Sequence, residues 1–147
     1  MEVWVDADAT PRAIKEILFK AAQRRGVVIT FVANRYQHLP RHRNLRMMVV
    51  EAGFDVADQR IVELCQPGDL VITADIPLAG ECVEKRAKVV TPRGRILEPE
   101  NIASALRARD IREELREGGV EMGGPKPMHQ REVQAFARVF DQWVQLR

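Results

Sequence analysis

Two aspartates separated by one alanine, Asp6 and Asp8, follow the apolar run Val3-Trp4-Val5 and precede Pro11. Asp75 follows a second apolar run, Leu70-Val71-Ile72-Thr73, and Asp58 stands just before a helical stretch that begins at Gln59. Carboxylates brought within a few ångströms of one another repel, and some are then held protonated. A divalent cation removes that penalty. Mg²⁺ takes oxygen ligands, commonly one or two carboxylates with waters and substrate phosphates. The chemistry it serves is attack of an activated water on a phosphodiester.

Each acid also has a plainer reading as a helix cap, because an aspartate before a helix accepts hydrogen bonds from its first free N–H groups. For the first helix, Thr10 before Pro11 is the better cap, since proline favours the first helical position. That leaves Asp6 and Asp8 without a capping duty, and an extended backbone points both carboxylates the same way. Asp75, before Ile76-Pro77, and Asp58 read equally well as caps. If Asp58 is only a cap, Asp55 is the alternative third acid.

The elements that must position these acids follow from periodicity. Residues 2–6, 27–33, 47–50, 70–73 and 89–90 are continuous apolar runs, the pattern of strands buried on both faces. Between them lie helical stretches: one after Pro11 with Ile14, Ile17, Leu18, Ala21 and Ala22 on one face, one over 59–66, and one over 77–86. Strands alternating with helices predict an α/β fold with a mainly parallel sheet. Ligands of such sheets bind beyond the carboxyl ends of the strands, where Asp6 and Asp75 fall. A further helix is expected over 99–117, broken near Arg109-Asp110. A glycine- and proline-rich connector spans 118–128. A last helix from 129 carries Val133, Phe136, Ala137, Phe140 and Val144 on one face, read as core contact. The chain thus reads as one domain, 1–147, with a core at 1–118 and a docking helix at 129–147.

Composition narrows the function classes. The chain has 147 residues, 46% apolar and 30% charged, which suits a globular domain with a real core. A net charge of +2 is low for a protein that only coats nucleic acid. Cys65 and Cys82 fall in helical stretches without metal-ligand spacing and read as free thiols in a reducing cytoplasm. Asp6 and Asp8 interrupt any signal-peptide apolar segment, and no apolar run reaches membrane-span length. His38, His42 and His129 have no zinc spacing, and no phosphate-binding glycine loop is present.

Several stretches together carry a resemblance. V-D-A-D-x-x-P at 5–11, V-A-N at 32–34, G-F-D-V-A-D at 53–58, G-D-L-V-I-T-A-D-I-P-L-A at 68–79, P-R-G at 92–94 and G-G-P at 123–125 resemble the YaiI/YqxD family of uncharacterised bacterial proteins. That family is similar to the PIN-like nuclease superfamily, including its NYN branch. The resemblance implies a three-layer PIN-like fold and an acidic RNase site dependent on Mg²⁺ or Mn²⁺. It implies Asp6, Asp58 and Asp75 as metal ligands, with Asp8 as an accessory acid, all four counted as catalytic. Thr10 departs from the pattern, where cysteine is expected. RNA is the expected partner, with Asn34, Arg43 and Arg93 as substrate-binding residues.

Two rival readings remain at this point. V-W-V-D-A-D-A-T resembles the first motif of haloacid dehalogenase-like phosphatases, with Asp6 as nucleophile, Asp8 as general acid and Thr73 as the second-motif hydroxyl. The later lysine and acidic pair of that family have no counterpart, because Asp110 and Asp141 lie in predicted helices. The other rival is a non-catalytic nucleic-acid-binding module. Arg35, Arg41, His42, Arg43 and Arg46 cluster between two strands, and Tyr36 offers a ring for a base.

Overall fold

The apolar runs become the strands of a single sheet. In the computed structural model, which describes residues 1–53, 55–121, 123 and 126–146, the strands are β1 (Val3–Asp6), β2 (Ile29–Ala33), β3 (Leu45–Val49), β4 (Leu70–Ile72), β5 (Lys88–Val90) and β6 (Ile96–Leu97). The helices are α1 (Arg12–Arg25), α2 (Val56–Leu64), α3 (Ile76–Glu84), α4 (Ile102–Glu117) and α5 (Gln130–Gln145). Phe54, within G-F-D-V-A-D, and Gly124 and Pro125, within G-G-P, lie outside the described residues.

The sheet order is β3-β2-β1-β4-β5-β6. The first five strands are parallel and β6 runs antiparallel to β5. Alternate side chains of each central strand leave on opposite faces, and both faces are covered. Val3, Val5, Phe31 and Ile72 pack with Ile14 and Leu18 of α1 and with Phe136, Phe140 and Trp143 of α5. Trp4, Val32 and Val71 pack with Ala57 and Ile61 of α2, Leu78 and Cys82 of α3 and Ala105 of α4. The result is the expected α/β architecture in three layers, with the C-terminal helix docked.

Chain order reverses between β1 and β4. From β1 the chain winds outward one way through α1 to β2 and β3. From β4 it winds the other way through α3 to β5. Such a reversal leaves a crevice at the carboxyl ends of the two central strands, where doubly wound folds place their ligands.

Several local expectations are corrected. The strand at 96–97 is not among the expected runs, since two residues are too short to register as one. β3 begins at Leu45, two residues earlier than its apolar run, because Leu45 and Arg46 pair with Ile29 and Thr30. α4 continues unbroken through Arg109 and Asp110. α2 starts at Val56, so Asp58 lies inside its first turn and Asp55 takes the N-cap position. Cys65 follows α2 as its C-cap and is not helical. Thr10 does not cap α1. Pro11 occupies that position without a side-chain bond, and the Thr10 hydroxyl donates to the Asp6 carbonyl at 2.8 Å. On α5, Phe136 and Phe140 are buried and Val133 and Val144 pack against the same core as expected; Trp143, outside the expected face, is buried with them, and Ala137 lines the edge of the α1 contact.

Candidate active site

Asp6 is the last residue of β1 and is only 8% exposed. Its Oδ2 accepts a hydrogen bond of 3.0 Å from the Thr73 hydroxyl. Thr73 lies immediately after β4, and its Oγ1 in turn accepts the backbone N–H of Asp75 at 3.0 Å. One hydroxyl therefore ties the acid after β1 to the acid after β4. Weighed in the sequence only for the phosphatase reading, Thr73 is the strut of this site. A polar residue closing an apolar strand two positions before an acid is the signal that points to it.

Asp75 caps α3, with Oδ1 accepting the Leu78 N–H at 3.0 Å. The cap does not exhaust the carboxylate, which also bonds the carboxyl of Asp58. Asp58 lies in the first turn of α2, which packs beside α3 on the same face of the sheet, and its carboxyl meets that of Asp75. Asp55 occupies the N-cap in a left-handed conformation, φ +63°, without a side-chain cap bond. Asp58 is thus a partner of Asp75 and not a cap.

The electrostatics follow from this crowding. Burial, then the negative charges of Asp75 and Asp6, push the Asp58 carboxyl up from 3.8 to about 7. The shared hydrogen bond with Asp75 and the charge of Asp55 act in the same direction. Burial also raises Asp6; the Thr73 hydroxyl opposes the rise, while Asp75 and Asp8 add to it. Like charges brought together in partial burial account for both directions.

Asp8 takes a different place. The chain after Asp6 coils into a short 3₁₀ turn over Ala7–Ala9, so the two carboxylates do not share the extended geometry that spacing alone implied. Asp8 Oδ2 accepts the Asn34 N–H at 2.9 Å and Oδ1 accepts the Gln37 side-chain amide at 3.2 Å. Lys15 Nζ donates to Gln37 Oε1 at 2.8 Å. Asp8 therefore anchors the segment that follows β2, beside Asp6 and within range of its charge. Asn34 keeps its own Oδ1 buried without a hydrogen-bond partner among the described residues.

The two arginines are not at the acids. Arg43 is exposed and precedes β3, at the amino end of the sheet; Arg46, nearby, pairs with Glu2 at 3.4 Å. Arg93 stands on the loop after β5 but is committed to α5: it bonds Glu132 at 2.6 Å and the Lys126 carbonyl. Its neighbour Gly94 explains the rest of P-R-G. Gly94 has φ +89°, and a Cβ there would sit 2.7 Å from the Phe136 backbone N. Only glycine admits α5 so close. P-R-G is the seat of the last helix.

Among the described residues, no group of three or more His, Cys, Asp or Glu side chains stands ready-made as a metal cage. The acids meet as the Asp58–Asp75 pair, with Asp6 beside them. The donor set is all oxygen, and its ionised form is penalised by its own charge. Those residues fit a hard divalent cation that brings waters and substrate oxygens as further ligands.

The comparisons with known proteins bear on the whole chain. The family model described as "Uncharacterized BCR, YaiI/YqxD family" matches residues 4–146. The chain belongs to the YaiI/YqxD family. It is 54% identical over 141 residues to a UPF0178 protein of Desulfotalea psychrophila, covering 96% of this chain and 95% of that one. It is 49% identical over 143 residues to the UPF0178 protein YaiI of Escherichia coli, covering 97% and 93%. A UPF0178 protein of Aliivibrio fischeri is 49% identical over 141 residues, covering 96% and 95%. No solved structure matches. Within the described residues, no helix is long and apolar enough to cross a membrane. In this YaiI/YqxD member the stretches that carried the resemblance divide in two. V-D-A-D, T-A-D and V-A-D supply the crevice, whereas P-R-G and the Gly68-Asp69 pair serve packing.

Proposed function

We propose that this chain hydrolyses phosphodiester bonds in nucleic acid, RNA first, with Mg²⁺ or Mn²⁺ held by Asp6, Asp58 and Asp75, in the manner of PIN-like nucleases. The observation that carries the reading is the crowding of Asp58, Asp75 and Asp6, whose charges act on one another, with Thr73 tying Asp6 to the turn of Asp75. Such a cluster sits at the switch point of the sheet and is under-compensated without a cation. The cation, when bound, supplies charge neutralisation at the phosphate and activation of water.

The residues divide the remaining work. Thr73 orients Asp6 through Oγ1 and fixes the turn that presents Asp75. Asp58, pushed up to about 7 by its neighbours when no cation offsets their charge, would give up its proton to complete the carboxylate set when the cation binds. Asp8 holds the segment after β2 in place and is a positioning residue. Its ties to Asn34 and Gln37 weigh against the phosphatase reading, which needs Asp8 free to protonate a leaving group. Asn34, held through its backbone N–H by Asp8, is the residue of that segment assigned to meet substrate.

The test is cleavage of labelled single-stranded RNA by the purified protein with Mn²⁺ or EDTA, wild type beside Asp6→Asn. The expected result is cleavage by wild type in Mn²⁺ only. Equal cleavage by both proteins would remove Asp6 from the reaction. Release of phosphate from small phosphomonoesters without RNA cleavage would favour the phosphatase.

A further inference from the structure

Residues 34–44 leave the carboxyl end of β2 and run along the sheet edge to the start of β3. Tyr36, on this segment, is 70% exposed. Next to it, His38, Leu39, Arg41 and His42 line a cavity of about 350 Å³ floored by Leu45 and Met47 of β3. Aromatic rings and a guanidinium over an apolar floor are the surfaces on which nucleobases stack. The cavity also has a fixed donor. His42 Nδ1 accepts the Asn44 N–H at 3.1 Å, so the neutral ring carries its proton on Nε2. Arg35, Arg41 and Arg43 are exposed on the same segment and suit the phosphates between bases.

This cavity is mechanically joined to the acids. Gln37 lies between Tyr36 and His38, and its amide is clamped by Asp8 on one side and Lys15 on the other. Asn34 is held by the other oxygen of Asp8. Only Ala7 separates Asp8 from Asp6. Tyr36 and His38, which line the cavity, are therefore the chain neighbours of a residue hydrogen-bonded to Asp8.

We infer that the cavity takes an unpaired nucleobase of the strand whose phosphate lies at the acids, which makes the protein selective for single-stranded nucleic acid. The inference rests on the nuclease reading above. In a duplex the same base is stacked on its neighbours and its pairing edge is used, so neither its face nor its edge is free for the cavity.

The experiment is fluorescence anisotropy in EDTA, where no cleavage is expected. Probes are a labelled single-stranded RNA of mixed sequence and the same strand in a duplex. Proteins are wild type, Tyr36→Ala and Tyr36→Trp. Tyr36→Ala should lose about 5- to 150-fold in single-strand affinity, the worth of one stacked base. Tyr36→Trp should keep the wild-type affinity, and duplex binding should be weaker throughout. Equal single-strand binding by Tyr36→Ala and wild type, or equal binding of duplex and single strand by wild type, overturns the pocket. Tyr36-dependent binding without Mn²⁺-dependent cleavage supports the pocket and fails the nuclease reading. Cleavage of single strands at unchanged kcat/KM in Tyr36→Ala overturns the pocket and leaves the nuclease reading standing. Absence of any nucleic-acid binding overturns both.

Discussion

Replacing Asp58 by asparagine tests the crowding of the acids without any substrate. The carboxyl titrates near 7 in the folded chain against an ordinary 3.8 in the unfolded one. A folded-state value above the unfolded one means that ionisation costs folding free energy. The cost is absent below about pH 4, grows as pH rises from about 4 to about 7 and is then constant. In a dry site the gap would be worth about 4 kcal/mol. Asp58 is partly solvated, and screening reduces this to about 2 kcal/mol. The asparagine side chain is nearly isosteric and can still donate a hydrogen bond to Asp75, standing in for the shared proton. Urea unfolding in EDTA at about pH 4 and about pH 8, either side of the titration, should therefore show Asp58→Asn and wild type matched at the lower pH. At the higher pH the variant should be about 2 kcal/mol more stable, a Tm higher by about 4–8 °C. Adding Mn²⁺ at the higher pH should raise the wild-type Tm and move the variant much less. A variant equal to or weaker than wild type at both pH values would refute the reasoning, because the acids would then not penalise one another.

Three further substitutions separate the site from its scaffold. Thr73→Val removes the hydroxyl that serves both Asp6 and the Asp75 N–H, and should cost about 1–3 kcal/mol in urea unfolding, with weaker Mn²⁺ binding by calorimetry; unchanged stability would deny it the role of strut. Gly94→Ala forces a Cβ against the α5 backbone in a left-handed conformation and should cost about 2–4 kcal/mol, read by urea unfolding; a loss under about 1 kcal/mol would mean that α5 is not seated there. Arg86→Gly should stabilise the chain by about 1 kcal/mol in chemical denaturation. Arg86 has φ +68° where the chain leaves α3, with the Arg86 and Ala87 N–H groups bonding back to the Val83 and Cys82 carbonyls, the helix end that favours glycine; lower stability would show that the arginine side chain contributes more than its backbone strain.

The strand runs and the alternation with helices made the fold legible, since a strand buried on both faces must be apolar throughout. The same rule failed at β6, whose two residues pair only because the turn over Pro92–Arg95 brings them back along β5. Within the site, Asp6 and Asp75 were legible from their places at strand ends. Asp58 was ambiguous because a helix boundary misplaced by three residues turns an N-cap into a first-turn residue. The commitment of Arg93 to the last helix was not legible, for a physical reason. A positive charge in sequence does not reveal whether a carboxylate elsewhere already neutralises it, and Glu132, far along the chain, neutralises Arg93. The spacing of two between Asp6 and Asp8 misled similarly, because the backbone leaves the strand between them and gives each acid its own partners.

The two ends of the sheet treat their aspartates in opposite ways: Asp6 and Asp69 are buried, Asp58 and Asp75 half-buried. At the amino end, Asp69 is 4% exposed and accepts three hydrogen bonds: from the Glu2 N–H at 3.0 Å, the Trp4 indole at 3.0 Å and the Gln66 N–H at 2.9 Å. Those donors replace the water the carboxylate gave up, so burial there costs little. At the carboxyl end, Asp6, Asp58 and Asp75 together receive one hydroxyl and one backbone N–H among the described residues, and two of the acids bond each other. The fold thus has the means to satisfy an aspartate within its own chain and uses them at one end. A crowded, under-satisfied acidic group at the other end, lying where the chain order reverses, is the arrangement that an external cation and a phosphate would complete. That asymmetry, more than the number of acids, is why the proposed chemistry is assigned to the crevice between β1 and β4.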